Sequence, residues 1–138
     1  MILDASAIIT IILAGPEREE LLLRIAEAPV IAVGAPTLVE AALLLSARLR
    51  GDPRPLLNPF LREAEVEIIP FTSDHYELAL DAFHRYGKGR HPAGLNFGDC
   101  LTYAVAKMSG FPLLFTGSDF SRTDVAARQP DAADTIFP

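Results

Sequence analysis

The stretch MILDASAII at residues 1–9 decides the fold class, because one acid stands inside a mainly apolar run. Residues 1–3 predict a short buried strand, and residues 5–13 predict a helix that Gly15-Pro16 ends. Asp4 stands at the junction, where an ionised carboxylate among apolar side chains is unfavourable unless it is paired or bound to a metal. A strand followed directly by a helix is typical of the first unit of an α/β sheet.

The same alternation continues along the chain. Further strands are predicted at residues 30–33, 66–69 and 113–115, with a candidate edge strand at 136–137. Between them, apolar residues recur at helical spacing. The predicted helices span residues 17–28, 36–50, 54–64, 73–86 and 97–109. This pattern predicts an α/β fold in which a short parallel sheet carries helices on both faces.

Length and composition narrow the class of protein. The 138 residues suit a single domain, predicted to span residues 1–138, and half of them are hydrophobic, as in a packed globular protein. The only cysteine, Cys100, excludes an internal disulfide and is predicted to be a core residue. No segment has the roughly 18 apolar residues of a spanning helix, and no export signal is recognised. We therefore expect a cytoplasmic protein with no membrane partner.

Four acids, Asp4, Glu40, Asp99 and Asp119, are candidates for one site. Two of them follow predicted strands and two lie near helix starts, so a parallel sheet would gather all four outside the carboxyl ends of its strands. Carboxylates gathered there repel one another unless a cation joins them. Oxygen ligands favour a hard divalent ion such as Mg²⁺, and no His/Cys pattern indicates zinc.

Each acid also has a purely structural interpretation. Asp4 can cap the helix that follows it. Thr37 and Glu40 have the spacing of a capping box, in which the glutamate reaches back to a backbone N–H. Asp99 can occupy a favourable first helical turn, and Asp119 can cap a final turn. Taken alone, each acid is explained more simply by such a role, and only the four together favour a shared site.

Four segments resemble the motifs of the PIN-domain ribonucleases, and in particular the VapC toxins of bacterial toxin–antitoxin pairs. They are MILDASA at 1–7, TLVEA at 37–41, LNFGDCL at 95–101 and LLFTGSDF at 113–120. Each is short, but the four follow the family's order over nearly the whole chain. The resemblance implies a PIN-like parallel sheet flanked by helices, acids that bind Mg²⁺ or Mn²⁺, and cleavage of RNA.

The resemblance also implies a role for each acid. Asp4 and Asp99 would hold the metal. Glu40 would complete the triad and would orient or deprotonate the attacking water. One departure stands at Gly117, where many relatives carry an acid. Either Asp119 takes over that role as a fourth catalytic acid, or the fourth acid is absent.

Residues beside the acids supply further candidates. In the family, a hydroxyl at the position of Ser6 lies near the acids, so a supporting hydrogen bond is expected from it. Thr116 is a candidate for the same role. An ordinary helix-start or loop role explains both residues equally well. Arg122 follows the last motif and is a candidate contact to an RNA phosphate.

The net charge of −6 opposes non-specific binding of nucleic acid, so a ribonuclease of this composition needs a local basic patch. RYGKGRH at residues 85–91 is the only concentrated one. Lys88 and Arg90 are candidate phosphate contacts, and Tyr86 or His91 could stack on a base. A solvated loop is the alternative interpretation of the same segment.

Two partners besides RNA are implied by the resemblance, because the family commonly forms homodimers and is neutralised by a small antitoxin protein. The apolar run at residues 41–45 exceeds what one helix face needs and is a candidate interface.

Two other functions stay open. A non-catalytic PIN-like module would bind RNA or protein and keep the acids for folding. A receiver-like phosphoacceptor domain would need paired acids after the first strand, where Asp4 stands alone.

Overall fold

The computed structural model describes residues 1–125. Its strands are β1 (Ile2–Leu3), β2 (Ala32–Gly34), β3 (Glu67–Ile69) and β4 (Leu113–Leu114). They form one parallel sheet in the order β3-β2-β1-β4, so β1 is an inner strand, and its Ile2 pairs with both Ala32 and Leu113. The predicted α/β fold with a parallel sheet is confirmed.

The helices of the described residues lie where apolar periodicity predicted them, with ends that differ by at most one residue. They are α1 (Ala5–Ile12), α2 (Arg18–Glu27), α3 (Ala35–Leu49), α4 (Arg54–Glu63), α5 (Ser73–Tyr86) and α6 (Phe97–Ser109). A 3₁₀ turn at Asp119–Arg122 follows β4.

Helices cover both faces of the sheet, and successive strand residues serve opposite faces. Leu3 and Val33 pack with buried residues of α1, α2, α3 and α4. Their neighbours Ile2 and Ala32 pack instead with buried residues of α5 and α6. Because side chains alternate along a strand, strands covered on both faces must be apolar throughout, as the sequence of β1 is.

The start of α3 differs from the prediction. The helix begins after Gly34, with Pro36 in its first turn, and no side chain caps it. Thr37 lies inside the helix, only 2% exposed, and its hydroxyl contacts that of Thr102. The proposed capping box of Thr37 and Glu40 is therefore wrong. Pro36 suits the first turn of a helix, so α3 begins before the threonine, and Thr37 faces the core instead of capping the helix.

Two further details concern the end of the chain. Ser118 precedes the 3₁₀ turn and Asp119 is its first residue, so the expectation that Asp119 caps a final turn is wrong. The candidate edge strand at 136–137 lies outside the described residues, and a single domain over 1–138 stays a prediction.

Within residues 1–125, no helix has both the length and the apolar character needed to cross a membrane.

Candidate active site

The carboxyl edge of the sheet gathers the predicted acids. Asp4 follows β1 directly, and Glu40 lies in the second turn of α3, the helix that follows β2. Asp99 lies in the first turn of α6. Helices α3 and α6 pack against each other, so acids from three separate elements meet at one place.

Asp4 is only 6% exposed and is hydrogen-bonded through both carboxylate oxygens. Its Oδ2 accepts from the backbone N–H of Ser6 at 3.1 Å and from the Ser6 hydroxyl at 2.6 Å. Its Oδ1 accepts from the Thr102 hydroxyl at 2.8 Å. Asp4 does cap α1, but the two hydroxyl contacts go beyond a cap and set the orientation of the carboxylate.

Ser6 also reaches the loop after β4. Its hydroxyl accepts a hydrogen bond from the backbone N–H of Thr116 at 3.0 Å. Ser6 therefore contacts Asp4 directly, whereas Thr116 is joined to Asp4 through Ser6 and only by its backbone N–H. The contact joins the first and last of the four motifs.

Asp99 and Asn96 form a capping box at the start of α6, with the two reciprocal hydrogen bonds at 2.9 and 3.1 Å. Burial raises the pKa of Asp99 to about 6, against the lowering effect of the Asn96 N–H, and the charges of Asp4, Asp119 and Glu40 raise it further. The capping interpretation of Asp99 is right as far as it goes. The charges of the other three predicted acids also act on this carboxylate.

Glu40 is half-buried, and its carboxylate lies against Gly98 in the first turn of α6. A Cβ on that glycine would overlap the carboxylate. Burial raises the pKa of Glu40, and the charge of Asp4 raises it further. The glycine before Asp99 therefore leaves the space that admits a second carboxylate beside α6.

The loop after β4 differs from the other three motifs. Gly117 has a φ of 82°, a left-handed conformation in which an L side chain is strained, although no atom would contact its Cβ. Asp119 is exposed, and its charge contributes to the raised pKa of Asp99. Whether Asp119 takes over the role of the acid missing at Gly117 stays a prediction.

The donor set fits a hard divalent cation. Carboxylate oxygens suit Mg²⁺ or Mn²⁺. Burial raises the pKa of Asp99 most, and a cation would offset the further rise that the neighbouring acids cause. No three acids, histidines or cysteines within residues 1–125 stand close enough to hold a metal ion as they are. A bound cation would therefore have to draw the carboxylates closer together.

The predicted basic loop follows α5. Lys88 and Arg90 are exposed, as is Arg122 at the end of the 3₁₀ turn. The Arg90 guanidinium lies 5.2 Å from the centre of the Phe83 ring, a cation–π contact that keeps its charge at the surface. The structure leaves these three cations accessible to solvent.

The two aromatic candidates of this loop, Tyr86 and His91, differ from its cations because neither is exposed. Tyr86 is only 8% exposed and packs in the core, so the suggestion that it stacks on a base is wrong. His91 is half-buried, meets Tyr86 edge-on at 5.1 Å, and accepts a hydrogen bond from the Ala93 N–H through Nδ1. Cys100 is buried, as predicted, and burial raises the pKa of its thiol to about 11.

Sequence reasoning missed two residues that organise this region. Thr102, which bonds to Asp4, lies three positions after Asp99 and so shares its helix face, and that spacing was its only signal in the sequence. Asp124 accepts hydrogen bonds from Tyr103 at 2.7 Å and Lys107 at 2.5 Å, with Arg85 at 3.9 Å. Nothing in the local sequence marks Asp124, because its partners come from α5 and α6.

Comparison with known proteins agrees with this geometry. The family model of the PIN domain matches residues 1–126. The chain belongs to the PIN-domain family. Ribonuclease VapC of Mycolicibacterium smegmatis is 41% identical over 127 residues, which cover 92% of this chain and 98% of that protein. Ribonuclease VapC36 of Mycobacterium tuberculosis is 39% identical over 131 residues, 93% of each chain.

Two solved structures share the fold. A toxin–antitoxin complex from Klebsiella pneumoniae contains a chain that matches with a TM-score of 0.66 at 17% identity, covering 90% of this chain and 92% of that one. Mycobacterium tuberculosis VapC20, a toxin that cleaves the sarcin-ricin loop, matches with a TM-score of 0.68 at 22% identity, covering 87% and 92%. The resemblance to VapC ribonucleases is confirmed, and the receiver-like alternative is excluded.

Proposed function

We propose that this PIN-domain protein is a ribonuclease and the toxin of a toxin–antitoxin pair, and that it cleaves RNA internally with Mg²⁺ or Mn²⁺ held by Asp4, Glu40 and Asp99. The observation that carries the proposal is electrostatic. Asp99 is buried, and the three other predicted acids all raise its pKa. Carboxylates brought together in this way favour binding of a divalent cation.

Each acid has a distinct part in this proposal. Asp4, whose two carboxylate oxygens accept hydrogen bonds, and Asp99, held by Asn96, are the most firmly oriented of the proposed ligands. When bound, the cation would lower the pKa of a water molecule and polarise a phosphoryl oxygen. Glu40, whose pKa burial and Asp4 raise, is suited to accept a proton from the attacking water. Asp119 is the fourth acid in place of the missing one at Gly117.

RNA would be held by exposed cations near this edge. Lys88 and Arg90 in the loop after α5, and Arg122 after β4, are free to approach phosphate oxygens. His91 would contribute only if its ring left its present packing against Tyr86. Because the net charge is −6, these few cations would supply most of the attraction for the RNA backbone.

Protein partners are proposed on the same basis. The matching Klebsiella structure is a toxin–antitoxin complex, and a basic side chain of an antitoxin could pair with the acids in place of the cation. Exposed apolar side chains favour a homodimer as well: Leu43 of the run 41–45 is 66% exposed, and Phe97, beside the acids, is 80% exposed. The substrate and the antitoxin would meet this protein in the cytoplasm.

A cleavage assay tests the catalytic part. Purified protein is incubated with end-labelled tRNA and other structured RNAs in Mg²⁺, Mn²⁺ or EDTA. We expect discrete internal cuts that need the metal and that Asp4→Asn abolishes. Asp81→Asn, which changes an exposed acid of α5, is the matched control and should cut normally. Cleavage by Asp4→Asn at the wild-type rate would reject the site, and no cleavage with either ion would favour the non-catalytic module.

Expression in a host cell tests the toxin part. The wild-type chain should arrest growth, and both Asp4→Ala and co-expression of the neighbouring reading frame should relieve the arrest. Harmless expression of the wild-type chain, with the protein shown to be soluble and abundant, would contradict the toxin assignment. A ribonuclease without a toxin role would then explain a positive cleavage assay.

A further inference from the structure

We propose that Thr102 and Thr37 are positioning residues, which hold the Asp4 carboxylate in a fixed orientation through a chain of buried hydroxyl groups. The proposal rests on the function proposed above, in which Asp4 is a metal ligand. It assigns a role in the site to two threonines that had none from the sequence. Thr37 begins the second motif but was expected only to cap a helix, and Thr102 lies just beyond the third motif.

The direction of the hydrogen-bond chain follows from the chemistry of its members. The Thr102 hydroxyl lies 2.8 Å from Oδ1 of Asp4, and a carboxylate can only accept, so Thr102 donates its single proton there. The Thr37 and Thr102 hydroxyl oxygens are 3.1 Å apart. Since the Thr102 proton is already committed, Thr37 must be the donor in this second contact. The chain therefore runs from Thr37 through Thr102 to Asp4.

Burial makes this chain unusual for ordinary packing. Thr37 is 2% exposed and Thr102 is 1% exposed. A valine has nearly the same shape as threonine and would fill either position without a polar group to satisfy. A threonine or serine hydroxyl inside a helix commonly bonds to a carbonyl of its own helix, as Ser46 does to Ala42 in α3. The hydroxyls of Thr37 and Thr102 instead contact each other between two helices.

The positions of the two threonines explain what the chain would achieve. Thr37 lies three residues before Glu40 on α3, and Thr102 lies three residues after Asp99 on α6. Residues three apart share a helix face, so the hydroxyl contact fixes how the acid-bearing faces of the two helices meet. The same contact ends on Asp4. One chain of hydrogen bonds thus ties together the elements that carry all three proposed ligands.

As a result, both oxygens of the Asp4 carboxylate are restrained. Ser6 holds Oδ2 through two hydrogen bonds, and Thr102 holds Oδ1. Without Thr102, the carboxylate could turn about its last bond while Ser6 still held one oxygen. Loss of a hydrogen bond that orients a ligand commonly weakens metal binding by roughly 10- to 100-fold.

Calorimetric titration of the RNA-free protein with Mn²⁺ tests the proposal. We expect Thr102→Val to weaken binding by about tenfold or more, and Thr102→Ser, which keeps the hydroxyl, to restore most of the affinity. Thr37→Val removes only the first donor of the chain and should give a smaller loss in the same direction. Ser46→Ala is the matched control, because it deletes a hydroxyl of α3 that bonds within its own helix. Urea unfolding of each variant in EDTA establishes that the protein is folded.

The outcomes separate this proposal from the one on which it rests. Wild-type affinity in both valine variants would overturn the positioning role while leaving the metal site in place. An equal loss in Thr102→Val and Thr102→Ser would also overturn it, because the hydroxyl would then not be the cause. If Thr102→Val does not fold, Thr37→Val decides. If the wild-type protein binds no Mn²⁺ and cleaves no RNA, the proposed function fails, and the positioning role fails with it.

Discussion

Two aspartates beside α6 have opposite electrostatic surroundings. Asp99 lies at the start of the helix, where burial and three other acids raise its pKa to about 6. Asp124 lies against the middle of the helix. Burial alone would raise the pKa of Asp124, but hydrogen bonds from Lys107 and Tyr103 outweigh burial and hold it below the ordinary value.

The difference shows how to separate a functional carboxylate from a structural one in this fold. Asp124 has its counter-charges within the protein, so it stabilises the fold and needs no ligand. Burial raises the pKa of Asp99 most, and the charged neighbours that raise it further are themselves acids. Gathering these carboxylates makes the fold less stable, and a cation from solution would offset their repulsion. Removal of the Asp99 charge should therefore raise stability and lower activity. Removal of the Asp124 charge should lower stability and leave metal binding unchanged.

The largest expected effect is that of Asp99→Asn. RNA cleavage should fall by about 100-fold or more, because a proposed ligand loses its charge. In EDTA, the variant should also be more stable than the wild type at pH 8, by on the order of 1 to 3 kcal/mol. The raised pKa of Asp99 means that the wild type loses stability as pH rises from about 4 to about 6. The variant should lack that loss in urea unfolding, and a variant less stable than the wild type at pH 8 would contradict the comparison.

Gly98→Ala should sharpen the Asp99 side of the comparison without changing any charge. The new Cβ would overlap the Glu40 carboxylate and displace it, so cleavage should fall by roughly 10- to 100-fold. Gly51→Ala is the control, because its Cβ would meet only Leu49 O at 4.0 Å. Equal rates for the two alanine variants would mean that the position of Glu40 is not critical.

Asp124→Asn should make the protein less stable, whereas Asp99→Asn should make it more stable. Loss of the charge-assisted bonds from Lys107 and Tyr103 should destabilise the fold by about 1 to 3 kcal/mol at pH 7. Because the pKa of Asp124 is lowered in the folded state, its stabilisation is present above the ordinary value of 3.8 and is lost as pH falls below it. Affinity for Mn²⁺ should not change. A loss of metal binding in a fully folded variant would show that this aspartate is not purely structural.

The smallest expected effect concerns cations that bond to neither aspartate. Replacing Lys88 and Arg90 by alanine should weaken RNA binding across sequences, and each lost phosphate contact should reduce the salt slope by about 0.7. Filter binding over a range of salt concentrations measures this slope. Arg62→Ala, an exposed residue of α4, should leave it unchanged. A slope equal to that of the wild type in the double variant would make the loop after α5 a solvated surface.

Local sequence patterns were sufficient for the elements of the fold. Apolar periodicity placed each described helix to within one residue at either end, because a helix or strand buried on the sheet must repeat its apolar residues at its own spacing. The order of β-strand, acid and helix also predicted that Asp4, Glu40 and Asp99 share one edge, since parallel strands end together. These inferences need only residues that are close in the sequence.

Only the tertiary structure decided how the acids are held and which other residues matter. Thr102 reaches Asp4 across 98 positions of sequence, and Thr37 reaches Thr102 across 65. No local pattern distinguishes such a threonine from a helix cap, which is why Thr37 was misassigned. The space for Glu40 likewise depends on Gly98 in another helix. Which groups become neighbours is set by the packing of helices on the sheet, and the same packing sets their hydrogen bonds and shifts their pKa values.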